Sequence, residues 1–297
     1  MSIQLKQMDR YVSRTAQPQP HVARTEPTVW GERTGPIPEA LVEAHDAVGY
    51  SVHDEFLSPA EVHTFGAELT RMIDDPALAG DPRTIVERKT GQVRSVFEVH
   101  KISDMIADLV RQPRVLDRAR QILGSDVYLH QTRVNYMPGF VGTGFYWHSD
   151  FETWHTEDGM PVPRAVSMSI ALTDNFPYNG GLMVMPGSHR TFVPCQGATP
   201  SDHHKDSLQE QTVGVPAPAD ITRLAGVHGI DQFTGPAGTA LMFDSNIMHG
   251  SANNITPFPR SNIFLVFNSV ENALVEPFAA ANPRPTYIAS RDFAPLH

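Results

Sequence analysis

The sequence predicts a mainly β protein with flanking helices, built as a double-sheet jelly roll. Three observations carry that expectation. After Gly124 the chain breaks into short segments rich in β-branched and aromatic residues: DVYLHQTRVNY, GFYWHSDF, AVSMSIALT, GGLMVMPGS, GTALMFDSN and SNIFLVFNS, each bounded by Gly, Pro, Asn or Asp. No helix of convincing length separates most of them, which argues against parallel βαβ units. The part before Gly124 reads as helices, which places a helical layer outside one of the two sheets.

Residues 1–36 read as an extended arm, with Pro18, Pro20, Pro27 and Pro36 among polar residues. A single domain is expected over 37–297, with a helical front end (37–124), a jelly-roll core (125–275) and a C-terminal tail (276–297). IPEALVEAHDAVGY reads as a helix stopped by Gly49. Ser58-Pro59-Ala60-Glu61 is a capping box with proline at the first helical position, opening a helix to about Ile73. Residues 103–112 and 113–123 read as two short helices, the second closed by Gly124. The polar stretch from about 190 to 236, with GATPSDHHKDS and VPAPAD, reads as a long excursion between strands.

With 297 residues, 40% hydrophobic and 19% charged, the composition is that of an ordinary globular chain. A net charge of −10 and the lack of any basic run argue against nucleic acid or an anionic membrane as partner. The single cysteine, Cys195, excludes an intrachain disulfide and a cysteine-based zinc cage. MSIQLKQMDR lacks the apolar core of a signal peptide, and no apolar run approaches a membrane span. Together these features point to the cytoplasm.

Chemistry concentrates in FYWHSDFETWHTEDG. On a strand, residues i and i+2 face the same side, so His148 and Asp150 would present an imidazole and a carboxylate together. A distant histidine would complete a 2-His-1-carboxylate triad, which leaves three positions open on Fe(II). The bare His-x-Asp pattern is weak evidence, since chance supplies roughly one copy in a chain of this composition. A second copy, His204-Lys205-Asp206, lies in the hydrophilic excursion and reads as solvated loop. His249, at the end of the apolar run in MFDSNIMHG, is the expected third ligand. Alone it would read as a core histidine bonded to backbone. His189 in PGSHR competes, but it follows a turn-forming Pro-Gly and reads as a loop cap.

Arg260 opens the strand RSNIFLVF and shares a face with Asn262 and Phe264. An inward guanidinium can hold a carboxylate through two parallel hydrogen bonds, and without an anion its burial is costly. A metal beside such an arginine suits a small dicarboxylate that chelates iron at one end and is clamped at the other. Gln131, Arg133 and Asn135 make one side of the first core strand polar, as a pocket requires. Ala165, Ser167, Ser169 and Ala171 leave room on one side of their strand, while Val166, Met168, Ile170 and Leu172 fill the core on the other.

FYWHSDFETWHTEDGMP, supported by RSVFEVHKIS, GGLMVMPGSHRTF, NITPFPRSN and VFNSVENALVEPFAA, resembles the ectoine hydroxylases of the phytanoyl-CoA dioxygenase-like superfamily, from about Pro27 to the C-terminus. The resemblance implies a double-stranded β-helix (cupin-like) core and an Fe(II)- and 2-oxoglutarate-dependent dioxygenase. Such an enzyme uses O2 to convert ectoine to 5-hydroxyectoine, a compatible solute. His148, Asp150 and His249 would be the iron ligands. Arg260 would hold the distal carboxylate of 2-oxoglutarate, helped by Asn135 and Ser167, with Phe145 and position 137 also at the co-substrate. Ectoine would lie among Gln131, Trp154, Phe243, Asn262 and Phe264, with Phe97 and Phe145 closing the pocket. The resemblance also implies a homodimer. Glu152, His155, Glu157 and Asp158 are expected to order the following loop or face water.

The chain departs from the family pattern at Met137, where lysine is usual. Met242-Phe243-Asp244-Ser245 replaces Trp-Phe-Asp-Cys, and Ala252-Asn253 replaces Gly-Asp. Three alternatives therefore stand beside the main expectation. One is a related dioxygenase acting on another small amino-acid-like substrate such as proline. Another is a cupin-like zinc hydrolase built on the same triad, which has no need of Arg260. The last is a non-enzymatic jelly roll that binds a small molecule.

Overall fold

Caps and stop signals organise the front of the chain. The computed structural model describes residues 9–87, 90–208 and 212–297. Helix α1 (Glu39–Val48) ends at Gly49, whose φ of 87° is left-handed. Helix α2 (Pro59–Asp74) opens on the capping box: the Ser58 hydroxyl accepts from the Glu61 N–H, and the Glu61 carboxylate accepts from the Ser58 N–H. Helices α3 (Asp104–Arg111) and α4 (Pro113–Leu123) follow, the second stopped by left-handed Gly124.

The described strands, in chain order, are β1 (Val22–Ala23), β2 (Tyr50–His53), β3 (Thr84–Val86), β4 (Val93–Phe97), β5 (Val127–Met137), β6 (Phe145–His148), β7 (Ala165–Ala171), β8 (Leu182–Val184), β9 (Thr191–Phe192), β10 (Asp231–Gln232), β11 (Ala240–Asp244), β12 (His249–Ser251) and β13 (Arg260–Ser269). They form a major sheet in the order β2-β11-β7-β13-β5-β4-β3 and a minor sheet in the order β10-β8-β12-β6, with β1 and β9 paired separately. Every paired ladder is antiparallel.

Period-two alternation then sorts the apolar residues into two layers. Val166, Met168 and Ile170 of β7, with Ile263, Leu265 and Phe267 of β13, pack against α2, α3 and α4. The opposite face of the same strands supplies Ala165, Ala171, Phe264 and Val266 to a second layer with Phe151, Trp154 and Phe243. This is the expected jelly roll with helices outside one sheet.

Three segments differ from the expectation. The front end is not purely helical: β2 forms one edge of the major sheet, and β3 and β4 form the other. These strands are only three to five residues long, so alternation does not mark them. The excursion at 190–236 contains helices α6 (His204–Ser207) and α7 (Pro218–His228), and the prolines of VPAPAD start α7 instead of breaking a helix. The N-terminal arm is extended but packed. Tyr11 is buried against Phe151 and Phe192, and Arg24 reaches Asp244 at 2.7 Å. No helix among the described residues is long and apolar enough to cross a membrane.

After β6 the chain makes a short helix, α5 (Asp150–Thr153), that continues as a π-turn over Trp154–Asp158. Gly159 closes the turn with φ 84°, and a Cβ there would lie 2.1 Å from the Val275 carbonyl oxygen. Gly159→Ala should therefore cost more than the ~1–2 kcal/mol of a left-handed alanine, because the contact is with backbone. Urea unfolding should show a clearly lowered midpoint, and an unchanged midpoint would remove this packing constraint.

Candidate active site

Register places the two histidines together. In the β6–β12 ladder His249 pairs directly with His148, and their rings lie 4.2 Å apart. Asp150 is not on the strand, contrary to the period-two expectation. Ser149 is the last extended residue, and Asp150 begins α5, so its carboxylate reaches the histidines from a first helical turn. The three ligand atoms lie within 4.8 Å of one another, and all three residues are buried. Asp150 Oδ1 is 3.7 Å from His148 Nε2, and its Oδ2 is 3.8 Å from His249 Nε2.

Backbone carbonyls fix the histidine tautomers. His148 Nδ1 donates to the Tyr146 carbonyl at 2.7 Å and His249 Nδ1 to the Ile247 carbonyl at 3.0 Å. Both Nε2 lone pairs are thus free for a metal. Burial, helped by His148, brings His249 down to about 4 and keeps the imidazole neutral. Burial opposes ionisation of Asp150, but His249, His148 and Arg133 outweigh it and hold the carboxyl at about 2. Asp150 Oδ2 is buried without a hydrogen bond. Two imidazoles with their Nε2 atoms turned to one point, and one carboxylate with an unpartnered oxygen, fit a divalent ion of the Fe(II) class that keeps positions open for other ligands.

These groups line a cavity of about 150 Å³ between the two sheets. Of the residues singled out from sequence, Phe97, Asn135, Met137, Phe145, His148, Asp150, Trp154, Phe243, His249, Arg260, Asn262 and Phe264 all line it. Arg260 forms no ion pair and donates no hydrogen bond among the described residues, and its Nε is buried. Burial, with Arg94 nearby, pulls its guanidinium down to about 10. Asn262 donates to Ser169 Oγ, while its own Oδ1 is buried and unpartnered.

Two expected residues lie elsewhere. Gln131 sits one step behind the wall: its Nε2 donates to the Ile288 carbonyl at 2.7 Å, and its Oε1 accepts from Arg133 at 2.6 Å. Ser167 is fully buried outside the cavity lining, and Ser169, two residues on along the same face, lines the cavity instead. His189 and the His204/Asp206 pair lie outside the metal set, and Trp147 packs with Met185 and Val193.

Other lining residues had no individual role assigned from the sequence. Arg133 is stacked 4.2 Å from the Phe264 ring centroid and 5.6 Å from that of Phe97. It forms no ion pair among the described residues, and burial brings it down to about 10 although Asp150 opposes the change. Its place on the polar side of β5 was the available signal. His203 comes from the excursion and Arg284 from the C-terminal tail, where no periodicity applies. Glu152, His155, Glu157 and Asp158 are all buried, so none faces water. Glu152 pairs with Arg14, and Asp158 binds Arg284 through both carboxylate oxygens at 2.8 and 2.5 Å.

A double-sheet sandwich with a buried His-Asp-His set and an unpaired arginine in one cavity defines a metal-dependent oxygenase type of site. Residues 46–262 match the family model Phytanoyl-CoA dioxygenase (PhyH), and the chain belongs to that family. It is 68% identical over 289 residues to an ectoine dioxygenase of Nocardia farcinica, covering 97% of this chain and 96% of that one. Among solved structures it is similar to EctD from S. alaskensis in its apoform, with a TM-score of 0.87, 44% identity and 97% of each chain covered. The same protein with 2-oxoglutarate and 5-hydroxyectoine gives a TM-score of 0.85 at 44% identity, covering 95% of each chain. With bound Fe it gives 0.85 at 42% identity, covering 96% of this chain and 97% of that one.

The donor set makes a direct prediction. His148→Ala, Asp150→Ala and His249→Ala should each abolish stoichiometric ferrous binding and turnover, while His204→Ala and Asp206→Ala should retain both. Metal analysis of the purified variants checks this. Retained iron in His148→Ala with loss in His204→Ala would mean the metal lies at the other His-x-Asp.

Proposed function

We propose that the protein is an Fe(II)- and 2-oxoglutarate-dependent dioxygenase that hydroxylates ectoine to 5-hydroxyectoine. The observation that carries this reading is Arg260, without an ion pair among the described residues and with its Nε buried, in the same cavity as His148, Asp150 and His249. That pairing calls for a ligand with a carboxylate for the arginine and donor atoms for a metal, which is the chemistry of 2-oxoglutarate. The names of the relatives supply the substrate: ectoine dioxygenase at 68% identity, and a structure with 5-hydroxyectoine.

When bound, Fe(II) with 2-oxoglutarate and O2 supplies the oxidising step. The chain's own residues bind, orient and exclude water. His148, Asp150 and His249 would hold the metal. Arg260 fixes the far carboxylate of the co-substrate, beside Asn135, whose Oδ1 is anchored by Ser95 at 2.8 Å. Arg133, the second unpaired cation, is available to another carboxylate. Phe97, Phe243 and Phe264 make the cavity walls apolar, and Trp154, edge-on to His130 at 4.9 Å, offers an aromatic face to a delocalised cation. The enzyme works in the cytoplasm as a homodimer on this reading, with no nucleic-acid or membrane partner.

Arg260→Lys keeps the charge but loses the planar fork, so the KM for 2-oxoglutarate should rise about tenfold or more, with the KM for ectoine changing less. Steady-state succinate release checks the split, and an unchanged 2-oxoglutarate KM counts against the clamp. In a mixture of ectoine and proline at equal concentration, 5-hydroxyectoine should predominate. Predominant hydroxyproline would overturn the substrate while leaving the oxygenase in place. Product formation without O2 or 2-oxoglutarate would instead favour a zinc hydrolase.

A further inference from the structure

Among the described residues, three acids line the cavity: Glu87, Asp150 and Glu157. Glu87 is committed to Arg94 at 2.8 Å and accepts from the Thr143 hydroxyl at 2.7 Å. Asp150 belongs to the metal set. Glu157 stands on the π-turn three residues beyond Trp154 and is 2% exposed. Its Oε1 accepts from Arg14 Nη1 at 3.1 Å, and no hydrogen bond reaches its Oε2 among the described residues.

Neighbouring cations are already engaged. Arg14 spends its Nε and Nη2 on Glu152 at 2.7 and 2.8 Å and shares its Nη1 with Thr199 at 3.3 Å. Arg284, which lines the cavity beside Glu157, is held by Asp158. Glu157 also lines a second cavity of about 90 Å³, together with His203 and Arg284, so it stands where the two spaces adjoin. Arg14 meets one oxygen of this buried carboxylate, and the other is left to a donor that enters from the cavity. Trp154, nearby on the same turn, presents the kind of surface a delocalised cation prefers.

We infer that Glu157 recognises the cationic end of the substrate, pairing its free carboxylate oxygen with the amidinium of ectoine. This assignment rests on the reaction proposed above. It complements the charges of the cavity, since guanidiniums without an ion pair meet carboxylates and Glu157, paired with Arg14 through one oxygen, meets the cation with the other. Arg14 is then a positioning residue, because it holds the other Glu157 oxygen and ties the substrate wall to the N-terminal arm.

The test uses full-length enzyme loaded with Fe(II) and 2-oxoglutarate. Glu157→Gln keeps the shape but removes the charge, so the ectoine KM should rise about tenfold or more while kcat and the 2-oxoglutarate KM change by less than about twofold. Glu157→Asp should recover part of the loss. An ectoine KM in Glu157→Gln within about twofold of wild type overturns the inference, as does an equal loss of 2-oxoglutarate affinity. A second measurement needs no variant: wild-type enzyme should bind a neutral ring analogue, with an amide in place of the amidinium, far more weakly than ectoine. Equal binding overturns the assignment even where Glu157→Gln does not fold. A wild type that neither binds nor hydroxylates ectoine refutes the reaction itself, a failure visible before any variant is made.

Discussion

Uncompensated positive charge inside the sandwich is the constraint on which the site depends. Arg260 and Arg133 have no carboxylate partner among the described residues, and burial lowers both to about 10. Removing an ion from water costs several kcal/mol unless a partner and hydrogen bonds offset it. A fold that retains two such groups is incomplete without anionic ligands, and ligand binding then stabilises it by mass action. The same field acts on the metal set. Arg133 helps keep Asp150 ionised against the pull of burial, so the carboxylate is a ready metal donor. Charge that destabilises the empty cavity thus prepares both ends of the site.

The turn over 150–158 is the second requirement. It carries a metal ligand, an aromatic wall and three further buried acids within nine positions, yet a four-residue helix and one π-turn have little stability of their own. Arginines from the two ends of the chain hold it: Arg14 on Glu152 and Glu157, and Arg284 on Asp158. Buried ion pairs roughly break even against desolvation, so these bonds matter more for position than for net stability. Tyr11 and Phe278 add packing on the same side, the latter stacked 3.9 Å from the His155 ring. The arm and the tail are parts of the site's scaffold.

Legibility in the sequence followed periodicity. The two faces of β7 and the inward face of β13 were readable because residues alternate between a helical layer and a cavity. The metal set was readable in identity but not in geometry, since Asp150 leaves the strand and reaches its partners from a helix. Gln131 and Ser167 show the limit of face arguments. Each shares a side with cavity residues, but a strand runs beyond the cavity, and position along it decides what is lined. Arg284 and His203 were hidden because tails and long loops have no period. The burial of Glu152, Glu157 and Asp158 was hidden because their partners lie more than a hundred residues away in sequence.

The departures from the family pattern can now be weighed by place. Met242 points to the helical layer with Met168 and Ile170, away from the cavity. Ser245 is buried at the base of α5, where its carbonyl accepts from the Phe151 N–H at 2.8 Å, a contact that does not depend on the side chain. Ala252 and Asn253 lie past the end of β12, and Asn253 Oδ1 accepts from the Gly144 N–H at 2.8 Å. None of these four lines the cavity, whereas Met137 does, directly across the β5–β13 ladder from Arg260. A lysine there would place a second cation beside the co-substrate clamp. The thioether leaves Arg260 to act with Arg94 nearby, whose own charge is already met by Glu87. On the proposed reading, the one departure that lines the cavity lies at the Arg260 end, where the co-substrate would be held, and not beside Trp154 and Glu157.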